Sequence, residues 1–253
     1  MSWSERGVLH PERLPDFERR PAPLEAAHLV RWFWLAEWDL APGEVTRHEV
    51  LAFPACNLVV EPDLVGLAGP TTRVSVRELS GRGRAVAALL RPAAVPLFTD
   101  DPGGLRDRYV PLDLPDLQER VRSTADRDRA VSAFADWLVH RLPEASPEAL
   151  LANRMAELVD SNPDLVRVDE IARRLAVSPR TLQRLARRYV GLSPASMVRR
   201  RRLQEAAERV RRDPAADLAG IAADLGYADH AHLTNDFRHV LGFTPSRYRE
   251  VTQ

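Results

Sequence analysis

The feature that most limits what this chain can fold into is a helical unit written twice. The first copy begins Ile171-Ala172-x-x-Leu175, breaks at Val177-Ser178-Pro179, and runs through Leu182 to Gly191 and Ser193-Pro194. The second begins Ile221-Ala222-x-x-Leu225, breaks at Gly226-Tyr227-Ala228-Asp229, and runs through Leu233 to Gly242 and Thr244-Pro245. The break is one residue longer in the second copy, while the step from Leu182 to Gly191 recurs unchanged from Leu233 to Gly242. Each copy reads as two short helices joined by a tight turn. Such a unit lays its second helix in the major groove of DNA. Two on one chain predict a partner that is double-stranded DNA, a promoter or operator.

Helix starts around the repeat are marked by a capping oxygen followed by proline: Ser146-Pro147, Ser178-Pro179, Ser193-Pro194, Asp213-Pro214 and Thr244-Pro245. The oxygen accepts from an unpaired N–H of the first turn, and proline lacks the N–H that would go unsatisfied there. Helices are expected near 147–161, 169–176, 179–190, 194–212, 214–225, 230–241 and 245–251. The helix 194–212 joins the copies; its 19 residues span about 28 Å. Successive major-groove faces lie about 34 Å apart, so a stiff connector can hold two reading helices in register.

In the first reading helix Leu182, Leu185, Ala186 and Tyr189 form the expected core side. Arg180, Thr181, Gln183, Arg184, Arg187 and Arg188 lie outward. Arginine fits guanine and glutamine fits adenine as bidentate pairs, so Arg180, Gln183 and Arg184 are the candidate base readers and Arg187 or Arg188 a phosphate contact. In the second, Leu233, Phe237, Val240 and Leu241 form the core side; His230, Ala231, His232 and Asn235 are placed for bases and Arg238 for phosphate. Positions i and i+2 do not face each other on a helix, so His230 and His232 make no metal pair. Asp236 has no evident role. The run Arg199-Arg200-Arg201-Arg202 is expected to divide between solvent, phosphate, and pairing with Glu205 and Glu208.

Charge supports this division. Residues 1–162 hold 19 Arg and 25 acids, while residues 163–253 hold 17 Arg and 11 acids. A basic half is the footprint of a phosphate-binding surface, and the acidic half is expected to stay off DNA. All 36 basic residues are arginine. No apolar run is long enough to span a bilayer, Met1 to Arg6 lack the layout of a secretion signal, and a single cysteine, Cys56, excludes an intrachain disulfide. The expectation is a cytoplasmic protein with neither cofactor nor metal.

Before the helices, short β-branched or aromatic runs at 31–38, 44–53, 57–61, 64–68, 71–79 and 84–90 are separated by Gly and Pro. They predict an antiparallel sheet or small barrel, preceded by an irregular arm over 1–28. From Pro92 onward the helical period takes over. Val131, Phe134, Leu138 and Leu142 form a helical stripe that packs on its own domain or, alternatively, on a second copy as a homodimer. The fold class is therefore α+β: a β-rich domain over 1–112, a helical linker over 113–146 offering a dimer contact, and an all-α domain of two helix-turn-helix units over 147–253.

The motifs Ile171-Ala172-x-x-Leu175, Ser178-x-x-Thr181-Leu182-x-Arg184-Leu185, Gly226-Tyr227, Phe237-Arg238 and Leu241-Gly242-Phe243-Thr244-Pro245-Ser246-x-Tyr248-Arg249 resemble the DNA-binding domain of the AraC/XylS family of transcription regulators, over about residues 148–253. Two positions depart from the family pattern. Ala186 stands where Phe is common, implying a smaller core or one filled by Tyr189, and Asn235 stands where Arg is common, which bears on base preference. Residues 29–98 are more loosely similar to the cupin-like β domain that precedes this module in some members. The resemblance implies a transcription regulator responsive to a small-molecule effector, with RNA polymerase as a further partner if it activates. Trp32 and Trp34 on one strand face, with Arg47 and His48 on a neighbouring strand, are the candidate effector contacts; core or surface roles are the alternative. Two other functions compete. One is constitutive DNA binding with the N-terminal domain as a dimerisation clamp. The other is a DNA-targeted repair-type enzyme, which needs an activated nucleophile or metal cluster where the chain offers only the isolated Cys56. No catalytic residue is expected.

Overall fold

The computed structural model describes residues 6–11, 14–142 and 144–251; Met1 to Glu5, read above for a secretion signal, lie outside the described residues. The β-rich half contains β1 (Asp16–Pro21), β2 (Val30–Asp39), β3 (Val45–Val50), β4 (Asn57–Val60), β5 (Val65–Ala68), β6 (Ser75–Ser80), β7 (Arg82–Leu90) and β8 (Tyr109–Leu112). Six of these pair antiparallel in the order β1-β2-β7-β4-β5-β8, and β3 with β6 forms a separate ribbon. Hydrogen bonding thus makes an open sheet with β1 and β8 at its edges. Two strands escaped the sequence reading. β1 lies in the arm expected to be irregular, its Arg, Glu and Pro content masking the pattern, and β8 lies beyond Pro92, where only helix was expected. Both are edge strands, where a polar or Pro-containing run is tolerated because only one side of the backbone is paired.

Strand alternation sorts the sheet's two faces. Phe33, Leu35, Leu58, Val86 and Ala88 point to one core, which helices α1 (Pro115–Arg122) and α2 (Arg127–Arg141) cover with Leu117, Val121, Val131, Phe134 and Leu138. Phe33 and Phe134 meet with ring centres 5.4 Å apart. The α2 stripe is therefore buried within its own chain, and the segment read as a linker with a dimer contact is part of the β-rich half's core.

The remaining helices are α3 (Pro147–Ser161), α4 (Val168–Arg174), α5 (Pro179–Tyr189), α6 (Pro194–Arg212), α7 (Leu218–Asp224), α8 (His230–Leu241) and α9 (Pro245–Val251). Ser146, Ser178 and Ser193 each accept from the backbone N–H three residues on, and Thr244 Oγ1 accepts from Arg247 N at 3.2 Å. Asp213-Pro214 starts no helix. Asp213 instead closes a turn, its carbonyl accepting from Ala216 N and its carboxylate from Ala215 N, while Asp217 caps α7 by accepting from Ala219 N and Gly220 N. An Asp-Pro pair suits the first two positions of a type I turn as well as a helix start.

The two copies bury separate cores. Ile171, Ala172, Leu182, Leu185, Ala186 and Tyr189 pack with α3 and the start of α6. Ile221, Ala222, Leu233, Phe237, Val240, Leu241 and Tyr248 pack with the end of α6. The second core also takes in Leu9 and Leu51 from the N-terminal half, both fully buried. Tyr248 Oη donates to Leu9 O at 2.6 Å, Gln204 Nε2 to Leu51 O at 2.8 Å, and Val74 N to Val240 O at 3.1 Å. Along α3, buried Asn153 accepts from Ala93 N and donates to His28 O. Glu157 pairs with Arg91, and Asp160 with Arg6 and Arg31. The β-rich half is thus seated on both helical units.

Candidate nucleic-acid interface

The turns that aim the reading helices repeat atom for atom at a spacing of fifty residues. Leu175 N bonds Ile171 O, Ala176 N bonds Arg173 O and Val177 N bonds Ala172 O; Leu225, Gly226 and Tyr227 make the same bonds to Ile221, Ala223 and Ala222. Each turn needs one left-handed residue, supplied by Ala176 (φ 53) in the first copy and Gly226 (φ 71) in the second. Ser178 then caps α5 and Asp229 caps α8, the latter accepting from His232 N at 2.7 Å.

On α5, Arg180, Gln183, Arg184, Arg187 and Arg188 are exposed and Thr181 is half-buried. Arg180 and Arg187 form no ion pair among the described residues. Thr181 shares its hydroxyl with Ser178 at 2.9 Å. Arg184 and Arg188 are both held by Glu148 on α3, to which Tyr189 Oη also donates. The Arg184 hydrogen bond is the main cause that holds the Glu148 carboxyl below its ordinary value, against a desolvation that raises it. Sequence spacing gave no sign of this partner, which stands 36 residues away on another helix.

On α8, His230, Ala231, His232, Asn235 and Arg238 are all exposed, over buried Leu233, Phe237, Val240 and Leu241. His230 Nε2 lies 3.3 Å from Thr234 Oγ1, and the His232 ring packs edge-on against Tyr227 at 5.2 Å. Asp236 now has an account: its carboxylate accepts from Arg199 at 2.7 Å, tying α8 to α6. The departure at Ala186 is also resolved, since Ala186 and Tyr189 are buried together in the first core.

Most of the four-arginine run is committed to contacts within the chain. Arg200 is buried and donates to the carbonyls of Thr71 and Arg73. Burial lowers its pKa to about 10, with Asp107 opposing the shift, so it stays charged at neutral pH. Arg201 is 1% exposed, pairing with Glu205 and donating to Leu165 O. Arg202 lies over the Tyr227 ring at 3.6 Å, and Glu208 pairs with Arg212 rather than with the run. Burying two guanidinium groups is tolerable only because each meets carbonyl or carboxylate acceptors.

A cleft of about 880 Å3 opens beside α5. It is lined by Arg180, Gln183, Arg184 and Arg187 of α5 and by Asp101, Gly103, Gly104 and Arg106 of a loop from the β-rich half.

The effector candidates do not converge. Trp32 is buried edge-on against Phe53 at 4.9 Å, and Trp34 donates to Asn57 Oδ1. Both lie on the sheet face crossed by the ribbon, where Trp38 donates to Ser80 O and Arg77 stacks on Tyr109. On β3, Arg47 is exposed beside Glu49, whereas His48 is buried with its ring 2.9 Å from Thr46 Oγ1. Adjacent strand residues face opposite ways, so Arg47 and His48 cannot line one pocket. Cys56 is buried in the β-rich core, where desolvation pushes its thiol up to about 12; a thiol so held is a poor nucleophile.

Comparison with known proteins agrees with the repeat. A helix-turn-helix domain family matches residues 171–250. The chain is 32% identical over 107 residues to the transcriptional activator RhaS of Escherichia fergusonii, covering 42% of this chain and 38% of that protein. It is 30% identical over 123 residues, covering 49% and 39%, to a Streptomyces antibioticus protein provisionally named an AraC-like transcription regulator. Residues 171–250 form a helix-turn-helix domain similar to that of regulators named as AraC-like. The helix-turn-helix domain is joined to residues 18–111, which match a domain of unknown function (DUF6597). The chain spans less than two fifths of the length of these relatives. Among solved structures, ToxT of Vibrio cholerae is 10% identical over 86% of this chain and 98% of its own, with a TM-score of 0.48. Among the described residues no helix is long and apolar enough to cross a membrane.

Proposed function

We propose that this chain is a sequence-specific DNA-binding transcription regulator that lays α5 and α8 into successive major grooves of one duplex. The observation that carries the reading is the pairing of two exposed polar faces with two separate buried cores on a single uninterrupted connecting helix. The 19 residues of α6 give about 28 Å towards the roughly 34 Å between groove faces, and the width of each unit supplies the rest. Arg180, Gln183 and Arg184 read bases through α5, with Arg187 on phosphate. His230, Ala231, His232 and Asn235 read through α8, with Arg238 on phosphate. The hydroxyl of Thr181 is engaged by Ser178, which leaves its methyl for a thymine methyl.

Arg184 reaches a base only by leaving Glu148. An exposed ion pair is worth about 0–1 kcal/mol, whereas a bidentate base contact is worth about 1–3 kcal/mol, so the exchange favours DNA. Replacing Arg184 by Ala costs about 1–3 kcal/mol at its base position and relaxes specificity there. The measurement is titration of a duplex selected by the full chain from a randomised library. Unchanged affinity and selectivity remove Arg184 from the reading set; a wild-type chain that enriches no sequence overturns the whole proposal.

Whether the N-terminal half senses a small molecule or serves as a permanent clamp divides two readings. Constitutive binding is favoured by Leu9 and Leu51, which complete the second unit's core within one chain; dimerisation through the same half is a separate part of that reading. Full-strength specific binding by purified chain with nothing added supports the clamp. A compound that shifts the melting temperature and alters DNA affinity supports the sensor.

A further inference from the structure

We infer that Arg106, on a loop of the β-rich half, is a DNA-phosphate contact that flanks the first reading helix. The inference rests on the DNA-reading proposal above and assigns to the duplex a surface that charge counting had kept off it.

The loop is seated where α5 ends. Gly191 follows α5 with φ +79, and a Cβ there would lie 2.5 Å from the Pro102 carbonyl. The matching Gly242 after α8 has φ +85 and open space around it. Both glycines serve a helix end that needs a left-handed residue, but only the first copy has a foreign loop pressed against it.

The loop is also held fixed relative to the helices. The Asp107 carboxylate accepts from Thr72 N at 2.6 Å and Thr72 Oγ1 at 2.5 Å. Arg200 of α6 donates to the carbonyls on either side of Thr72, those of Thr71 and Arg73. The buried guanidinium of the connecting helix thus anchors the segment that anchors the loop.

Arg106 is exposed and forms no ion pair among the described residues. It shares the cleft with Arg180, Arg187 and the Glu148-paired Arg184, and Asp101 is the acid in the lining. Guanidinium groups collected around an open cleft repel one another, and an extended polyanion relieves that repulsion. A helix in a major groove about 12 Å wide has a sugar-phosphate strand on each side. A loop that lines the same cleft as the outward residues of α5 is within reach of one of those strands.

The test uses the full chain, a duplex selected from a randomised library, and a scrambled duplex, each titrated over a range of salt concentrations. R106A is expected to weaken both duplexes by the same factor, about 3- to 10-fold at low salt, and to reduce the slope of log affinity against log salt by about 0.9. The selected sequence should stay the same. R106K should keep most of the slope and R106E should lose more than R106A. Circular dichroism confirms that these exposed substitutions leave the fold intact. If the wild type binds selectively and R106A matches it in affinity and slope, the inference fails while the DNA reading stands. If R106A binds more tightly, the loop is a plug rather than a contact, and the inference fails again. A wild type that binds neither duplex overturns both.

Discussion

Glu148 carries a conflict that its neighbours make explicit: one carboxylate holds two arginines of the helix proposed to read bases. Both arginines are exposed and Glu148 is half-buried, so the pair's worth to the fold is about 0–1 kcal/mol. The same carboxylate stands beside the surface that must accept phosphates, where a negative charge repels. Glu148→Gln is therefore expected to leave the melting temperature nearly unchanged and to raise DNA affinity several-fold at low salt, measured by fluorescence anisotropy. The sign with pH follows from the depressed carboxyl. Its contribution to stability is present above the ordinary carboxylate value and is lost as pH falls through the lower folded value. A variant that binds DNA less well would make Glu148 a positioning residue for Arg184 instead of a competitor. Asp236 solves a similar problem differently, turning its charge inward to Arg199.

At the scale of elements, the two helix-turn-helix copies share their turn hydrogen bonds yet differ in the residue that takes the left-handed conformation. A side chain in that region costs about 1–2 kcal/mol, and Ala176 bears this cost where Gly226 does not. Ala176→Gly relieves the strain but loosens the unfolded chain, which takes back about 0.4–1 kcal/mol, so it should stabilise by about 0–1.6 kcal/mol. Gly226→Ala should cost about 1–2 kcal/mol, and its Cβ would also press Val166 at 3.0 Å. Urea denaturation of both variants checks the pair; equal effects of the same sign would show that the turns are not equivalent. Helix ends were legible for a related reason. A capping oxygen before proline is a local signal, and it held at Ser146, Ser178, Ser193 and Thr244. It failed at Asp213, where Asp217 offered the better cap four residues on.

For the molecule as a whole, the decisive fact is that the N-terminal half is built into the second unit. Leu9 is fully buried among its helices. Leu9→Ala should cost about 2–5 kcal/mol and raise amide exchange in α8 and α9 before α5; uniform loss of protection would mean the two units unfold as one. The sequence by itself determined the double unit, its core and outward faces, the cap-marked helix starts and most of the strands, because each rests on periodicity or on residues within a few positions. Only the tertiary structure decided what the four consecutive arginines do, which carboxylate holds Arg184, that α2 turns its stripe onto the sheet, and that a loop from an acidic half stands beside a basic reading helix. Asn153, Glu157 and Asp160 share one face of α3 at helical spacing, yet nothing along the chain says that Ala93, Arg91 and Arg31 are waiting opposite. Such pairings join residues tens of positions apart, and a local pattern carries no record of which distant surface the packed core will bring against it.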